Sequence, residues 1–118
     1  MNLCQRNNNP GNLRFRSQVG AKNSRGWAEW PTPFEGWRAL VKQIKLDQAR
    51  GDTFDKFVKE YAPSNENDTP KYLWFVCDGL RVKPMDQLSM IAPYAIAGMI
   101  AQIEGYFAED NTHASWNI

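Results

Sequence analysis

A chain of 118 residues with 42% hydrophobic content can bury one ordinary core, so a single domain over residues 1–118 is expected. Fourteen Lys and Arg against thirteen Asp and Glu leave a formal net charge of +1, which argues against a polyanionic partner held by charge. Cys4 and Cys77 are too few and too far apart for a metal motif; they read as reduced thiols, a single disulfide being the disfavoured alternative.

The first nine residues, Met1 to Asn9, carry no apolar stretch after their charge, so no secretory signal is expected. Up to Pro31 the pattern is loop and short strand. Asn-Pro-Gly-Asn at 9–12 punctuates a turn, and Leu13–Arg16 and Gly26–Trp30 alternate, which predicts a small hairpin. A helix opens at Thr32-Pro33-Phe34-Glu35, where Thr32 can cap, Pro33 takes the first helical position and Glu35 can complete a capping box. It runs to about Arg50 and stops at Gly51, with Trp37, Leu40, Val41 and Ile44 at helical spacing.

Thr53 can cap a second helix, Phe54 to about Tyr61, ended by the Ala62-Pro63 step. After the polar loop Ser64 to Asp68, Thr69-Pro70 repeats the cap-plus-proline start and opens a third helix to about Asp78, closed by Gly79. Leu80 to Met90 is a connector with a short turn around Pro84 to Leu88. The last helix, about Ile91 to Tyr106, is apolar on nearly all sides, the mark of an enclosed helix. Broken by Pro93, Gly98 and Gln102, it is too short and interrupted to cross a bilayer, and no stable membrane insertion is expected. The segment from Ala108 on is polar except for Trp116 and reads as a loosely held tail; the lone His113 in it reads as uninvolved.

Glu104 stands apart as the acid that ends a nearly all-apolar helix. A carboxylate at the negative end of a helix dipole, desolvated by Ile103, Tyr106 and Phe107, favours its protonated form, which is what a general acid requires. The competing reading is that Glu104 is the first exposed residue past a buried stretch. Glu35 is best explained as a capping residue. Glu29, between Trp27 and Trp30, either faces a groove or solubilises an exposed strand. Asn7, Asn8, Asn9 and Asn12 offer amides suited to acetamido and hydroxyl groups, or build a tight turn and nothing else. Glu66 and Asp68 suit either turn chemistry or sugar hydrogen bonding. No Ser/His/Asp pattern, metal-ligand spacing or phosphate loop is present, so no cofactor and no metal is implied.

Taken in order, Asn8-Asn9-Pro10-Gly11-Asn12-Leu13-Arg14, Phe34-Glu35-Gly36-Trp37-Arg38-Ala39-Leu40, Tyr61-Ala62-Pro63, Glu66-Asn67-Asp68-Thr69 and Tyr72 resemble a family of small phage- and prophage-encoded lysozyme-like proteins. Members are described as phage structural proteins or lytic transglycosylases, and the resemblance covers roughly Asn7 to Tyr106. It implies a mainly helical α+β, lysozyme-like fold with a groove for peptidoglycan glycan strands; a monomer is expected, and the balanced charge speaks against nucleic acid as partner. In ordinary lysozyme-like enzymes the catalytic Glu ends a helix that precedes the β-region. Here only the last helix fits, so the resemblance implies either that the acid is lost or that the order is circularly permuted; a permuted order fits the sequence well and puts Glu104 in the place of the general acid, with Gly105 allowing the turn away. Glu104 is then expected to cleave the MurNAc-GlcNAc β-1,4 bond by transglycosylase or muramidase chemistry, the absence of an obvious second acid favouring the former. Tyr61 and the turn holding Asn8, Asn9 and Asn12 are expected to line the groove, with Glu29 and Asn67 as further sugar-contacting candidates.

Without a signal, such a protein is expected to be made in the cytoplasm and to act at the cell wall or periplasm after phage-type release, or in a virion. Two other readings stay open: a non-catalytic structural or peptidoglycan-binding protein, and, ranked last, a nucleic-acid binder using Arg14, Arg16, Lys22 and Arg25 of the hairpin.

Overall fold

In the computed structural model, which describes residues 1–109, the chain is mainly helical with one small two-stranded antiparallel sheet. His113, Trp116 and most of the expected tail lie outside the described residues. The chain divides into two compact units: residues 1–43 together with the chain from Ile100 on, and residues 44–99.

The first unit opens on a helix absent from the sequence reading, α1 (Leu3–Arg6). Asn2 caps it: its side chain accepts from the Gln5 N–H while the Gln5 side chain accepts from the Asn2 N–H, a reciprocal pair that fixes a single turn. The hairpin pairs β1 (Lys22–Ser24) with β2 (Trp27–Glu29). Its two-residue loop, Arg25-Gly26, has φ of 54° and 94°, the left-handed pair that matches the twist of antiparallel strands. β2 falls where the alternation predicts it. Its hairpin partner is not Leu13–Arg16 but the polar, largely exposed β1, which carries no alternation to read. Leu13–Phe15 instead borders the other edge, through an isolated Arg14–Trp27 bridge and bonds from Phe15 N–H to Gly26 O and from Ala28 N–H to Leu13 O.

Helix α2 (Pro33–Ala49) starts as predicted. The Thr32 hydroxyl lies 3.4 Å from the Glu35 N–H and donates to the Glu35 carboxylate at 2.9 Å. Gly36, one turn in, lies against the Asn8–Pro10 turn so closely that a Cβ there would overlap the Asn8 carbonyl. Cys4, Ala28, Trp30, Leu40, Ile100, Ala101 and Ile103 are this unit's buried apolar residues.

In the second unit α3 (Phe54–Tyr61) matches its predicted bounds and cap, Thr53 accepting from the Lys56 N–H. Helix α4 (Thr69–Leu80) differs at both ends. The cap is Asp68, accepting from the Lys71 N–H, because the Thr69 hydroxyl is taken by the Ala62 carbonyl at 2.6 Å. Gly79 does not terminate the helix; it stays helical, pressed against Met99 where a Cβ would clash, and Arg81 takes the left-handed position at φ 57°. A single 3-10 turn, Leu88–Met90, follows in the connector. Helix α5 (Pro93–Glu104) begins later than predicted. Tyr94 is 70% exposed, so the first turn faces solvent; from Ile96 onward Ile96, Ala97, Ile100, Ala101 and Ile103 are buried while Gln102 is exposed, so the helix is enclosed on one side rather than all round. No helix among the described residues is long and apolar enough to cross a membrane.

Candidate functional site

Helix α5 ends on Glu104, and Gly105 turns the chain away at φ 89°, as its sequence position suggests. A helix end leaves its last carbonyls without intrahelical partners. Here α1 and its cap supply donors: Cys4 Sγ approaches the Glu104 carbonyl at 3.5 Å, and Asn2 Nδ2 donates to Gly105 O at 2.8 Å. Gln5 Nε2 reaches Tyr106 O and Ala108 O at 2.9 and 2.7 Å. Helix α1 and its cap thus serve as the C-terminal cap of α5.

The half-buried Glu104 side chain borders a cavity of about 370 Å³, lined also by Met1, Asn2, Leu3, Cys4, Arg6 and Asn12. That volume sits at the small end of ligand-sized pockets. Asn12 Nδ2 lies 3.4 Å from Glu104 Oε1. Burial, and secondarily the Glu104 charge, push the Cys4 thiol up to about 12, so it stays neutral there and is no second charge or ready nucleophile. Burial also raises Tyr106, with Cys4 adding and a hydrogen bond with the Trp37 side chain opposing. The rings of Trp37, Tyr106 and Phe107 pack against one another beside this helix end, with centroids 5.5 to 6.0 Å apart.

The three asparagines of the predicted turn do different things. Asn9 is fully buried; its Nδ2 donates to Leu13 O and Ala28 O and its Oδ1 accepts from the Leu13 N–H, all at 2.9 Å. Asn8, left-handed at φ 51°, donates from Nδ2 to Trp30 O. Asn12, left-handed at φ 52°, is the one that meets Glu104. Glu29 sits half-buried on β2, opposite Lys22 in the ladder. Tyr61 and Asn67 belong to the second unit. Tyr61 ends α3 with its ring 5.4 Å from Phe57, and Asn67 Nδ2 points back to the Pro63 carbonyl at 3.5 Å.

Sequence reasoning missed Met1, Asn2, Cys4 and Arg6 as neighbours of Glu104. A four-residue helix shows no periodicity, but an Asn followed three residues later by Gln was a readable capping signal. Set beside known proteins, the chain matches no family model and no curated protein.

Proposed function

We propose that the chain is a lysozyme-like protein that cleaves peptidoglycan glycan strands at the MurNAc-GlcNAc β-1,4 bond, with Glu104 as general acid and then base. The observation that carries this reading is a half-buried carboxyl at the end of the apolar helix α5, opening on a cavity and meeting an amide. A carboxyl so held can protonate the glycosidic oxygen as the bond to the muramic C1 breaks. The resulting carboxylate then takes the proton of the muramic 6-hydroxyl as its oxygen closes on C1, giving a 1,6-anhydro end; with water in place of that hydroxyl the product is a reducing end. Among the described residues that line the cavity Glu104 is the one carboxylate, which favours the intramolecular route, since that route asks for no second acid.

The permuted order gains support from the same place. Asn2 and Gly105 are hydrogen-bonded at 2.8 Å, so α1 meets the carboxyl end of α5. Segments that close together can exchange chain order at little cost to the fold. The site of action under this reading is the cell wall.

The test is digestion of purified peptidoglycan with mass analysis of the soluble products. Anhydro-muramic products are expected. Reducing-end products would replace the transglycosylase by a muramidase, and glycan that is bound but never released would contradict the catalytic reading.

A further inference from the structure

We propose that Asn12 is the positioning residue of Glu104, its amide orienting one carboxyl oxygen and governing how readily that carboxyl holds a proton. This rests on Glu104 as the acid, but its test does not require catalysis. The direction of the Asn12 side chain is fixed by its own backbone. Its N–H is tied to Asn9 O at 2.9 Å, and the next residue's N–H is tied to the buried Asn9 Oδ1 at 2.9 Å. The left-handed φ of 52° is one that asparagine tolerates. From that fixed point Nδ2 reaches Glu104 Oε1, while Oδ1 is buried with no hydrogen-bond partner among the described residues.

An amide with a donor on the carboxyl and an idle acceptor beside it can serve both protonation states. Nδ2 donates to the carboxylate; after a half-turn of the amide, Oδ1 accepts from the O–H of the acid. In the orientation present, the donor favours the charged form, so its removal should make Glu104 hold its proton to higher pH. Among the described residues, Cys4 from α1, kept neutral by burial, interacts with Glu104, and Met1 and Arg6 also line the cavity. Tyr106 interacts with Cys4 from the chain beyond Glu104. All of these stay in place in the variants below.

The test is a carbon-detected NMR titration of the glutamate carboxyls in the full chain, for wild type, Asn12→Gly and Asn12→Asp. Glycine keeps the positive φ and deletes the amide; aspartate also tolerates that φ and replaces the donor with a like charge. The Glu104 midpoint is expected to rise by about half a unit or more in Asn12→Gly and further in Asn12→Asp, with the other glutamates unmoved. A folded Asn12→Gly whose Glu104 midpoint stays within about 0.2 units of wild type would overturn the proposal. If the glycine variant does not fold, an unmoved midpoint in Asn12→Asp overturns it equally. Rises in both variants, in a protein that releases nothing from peptidoglycan, would uphold the Asn12 role and contradict only the catalytic reading.

Discussion

Asn8, Asn9 and Asn12 are the same residue type within five positions, yet each has a separate task set by backbone conformation. The two left-handed ones point their amides outward from the turn, to Trp30 O and to Glu104, while Asn9 turns inward and replaces a stretch of missing ladder. Removing the Asn9 amide leaves the Leu13 N–H and the Leu13 and Ala28 carbonyls without that partner in a buried place. Asn9→Ala is therefore expected to lose about 2–4 kcal/mol of stability by urea unfolding, several times the effect of an ordinary surface change. An unchanged urea midpoint would show that the turn holds without it. That asparagines cluster near Pro10-Gly11 is plain in the sequence. Which one meets Glu104 is not, because that depends on φ at single residues and on a partner 92 positions away.

At the scale of elements, the helices that strong caps announce were legible: α3 to the residue, and the start of α2 with its Thr32–Glu35 pair. The misreadings share a cause. Thr69 looks like a cap, but its hydroxyl is claimed by Ala62; Gly79 looks like a stop, but it stays helical with the end of the Met99 side chain against it, and Arg81 takes the left-handed position instead. Tertiary contacts reassigned residues whose local preferences pointed elsewhere. Two helical glycines give a matched test of this distinction. Gly36→Ala would drive a methyl into the Asn8 carbonyl, and a loss of about 1–3 kcal/mol is expected. Gly98 in α5 has nothing within 4 Å of an added Cβ, so Gly98→Ala should gain roughly 0.5–1 kcal/mol from helix propensity. Thermal unfolding of the two variants should move in opposite directions, and a shared sign would show that the Asn8 contact does not govern Gly36.

For the molecule as a whole, mainly helical architecture with a small hairpin was readable from periodicity and turns, whereas the division into two compact units was not. Within the second unit a charge network has a whole-molecule consequence. Asp52, its side chain 1% exposed, is bonded by Arg50 at 2.9 Å and approached by Lys56 at 3.4 Å. Burial alone would raise its carboxyl, but the hydrogen bonds and charges of Arg50 and Lys56 outweigh it and hold it below its ordinary 3.8. The unfolded chain thus takes up this proton at higher pH than the folded one. The stabilisation is present above about pH 4 and is lost as pH falls through the lowered folded value. Urea midpoints taken from pH 6 down to 2 should fall in acid, and Asp52→Asn should be less stable at pH 6 with a shallower acid slope. An Asp52→Asn slope equal to wild type would assign the acid loss to other carboxylates.

One carboxyl, at the end of α5, is proposed to perform both proton transfers on a glycan strand. This role is tested most directly by comparing wild type with Glu104→Gln on purified peptidoglycan, following turbidity and product masses together. Glutamine keeps the side-chain shape and can neither donate an acidic proton nor take one back. Wild type is expected to release anhydro-muramic products, and Glu104→Gln to lose roughly 10²–10⁴-fold of that activity with the fold intact. A Glu104→Gln protein that clears peptidoglycan at the wild-type rate would contradict that role.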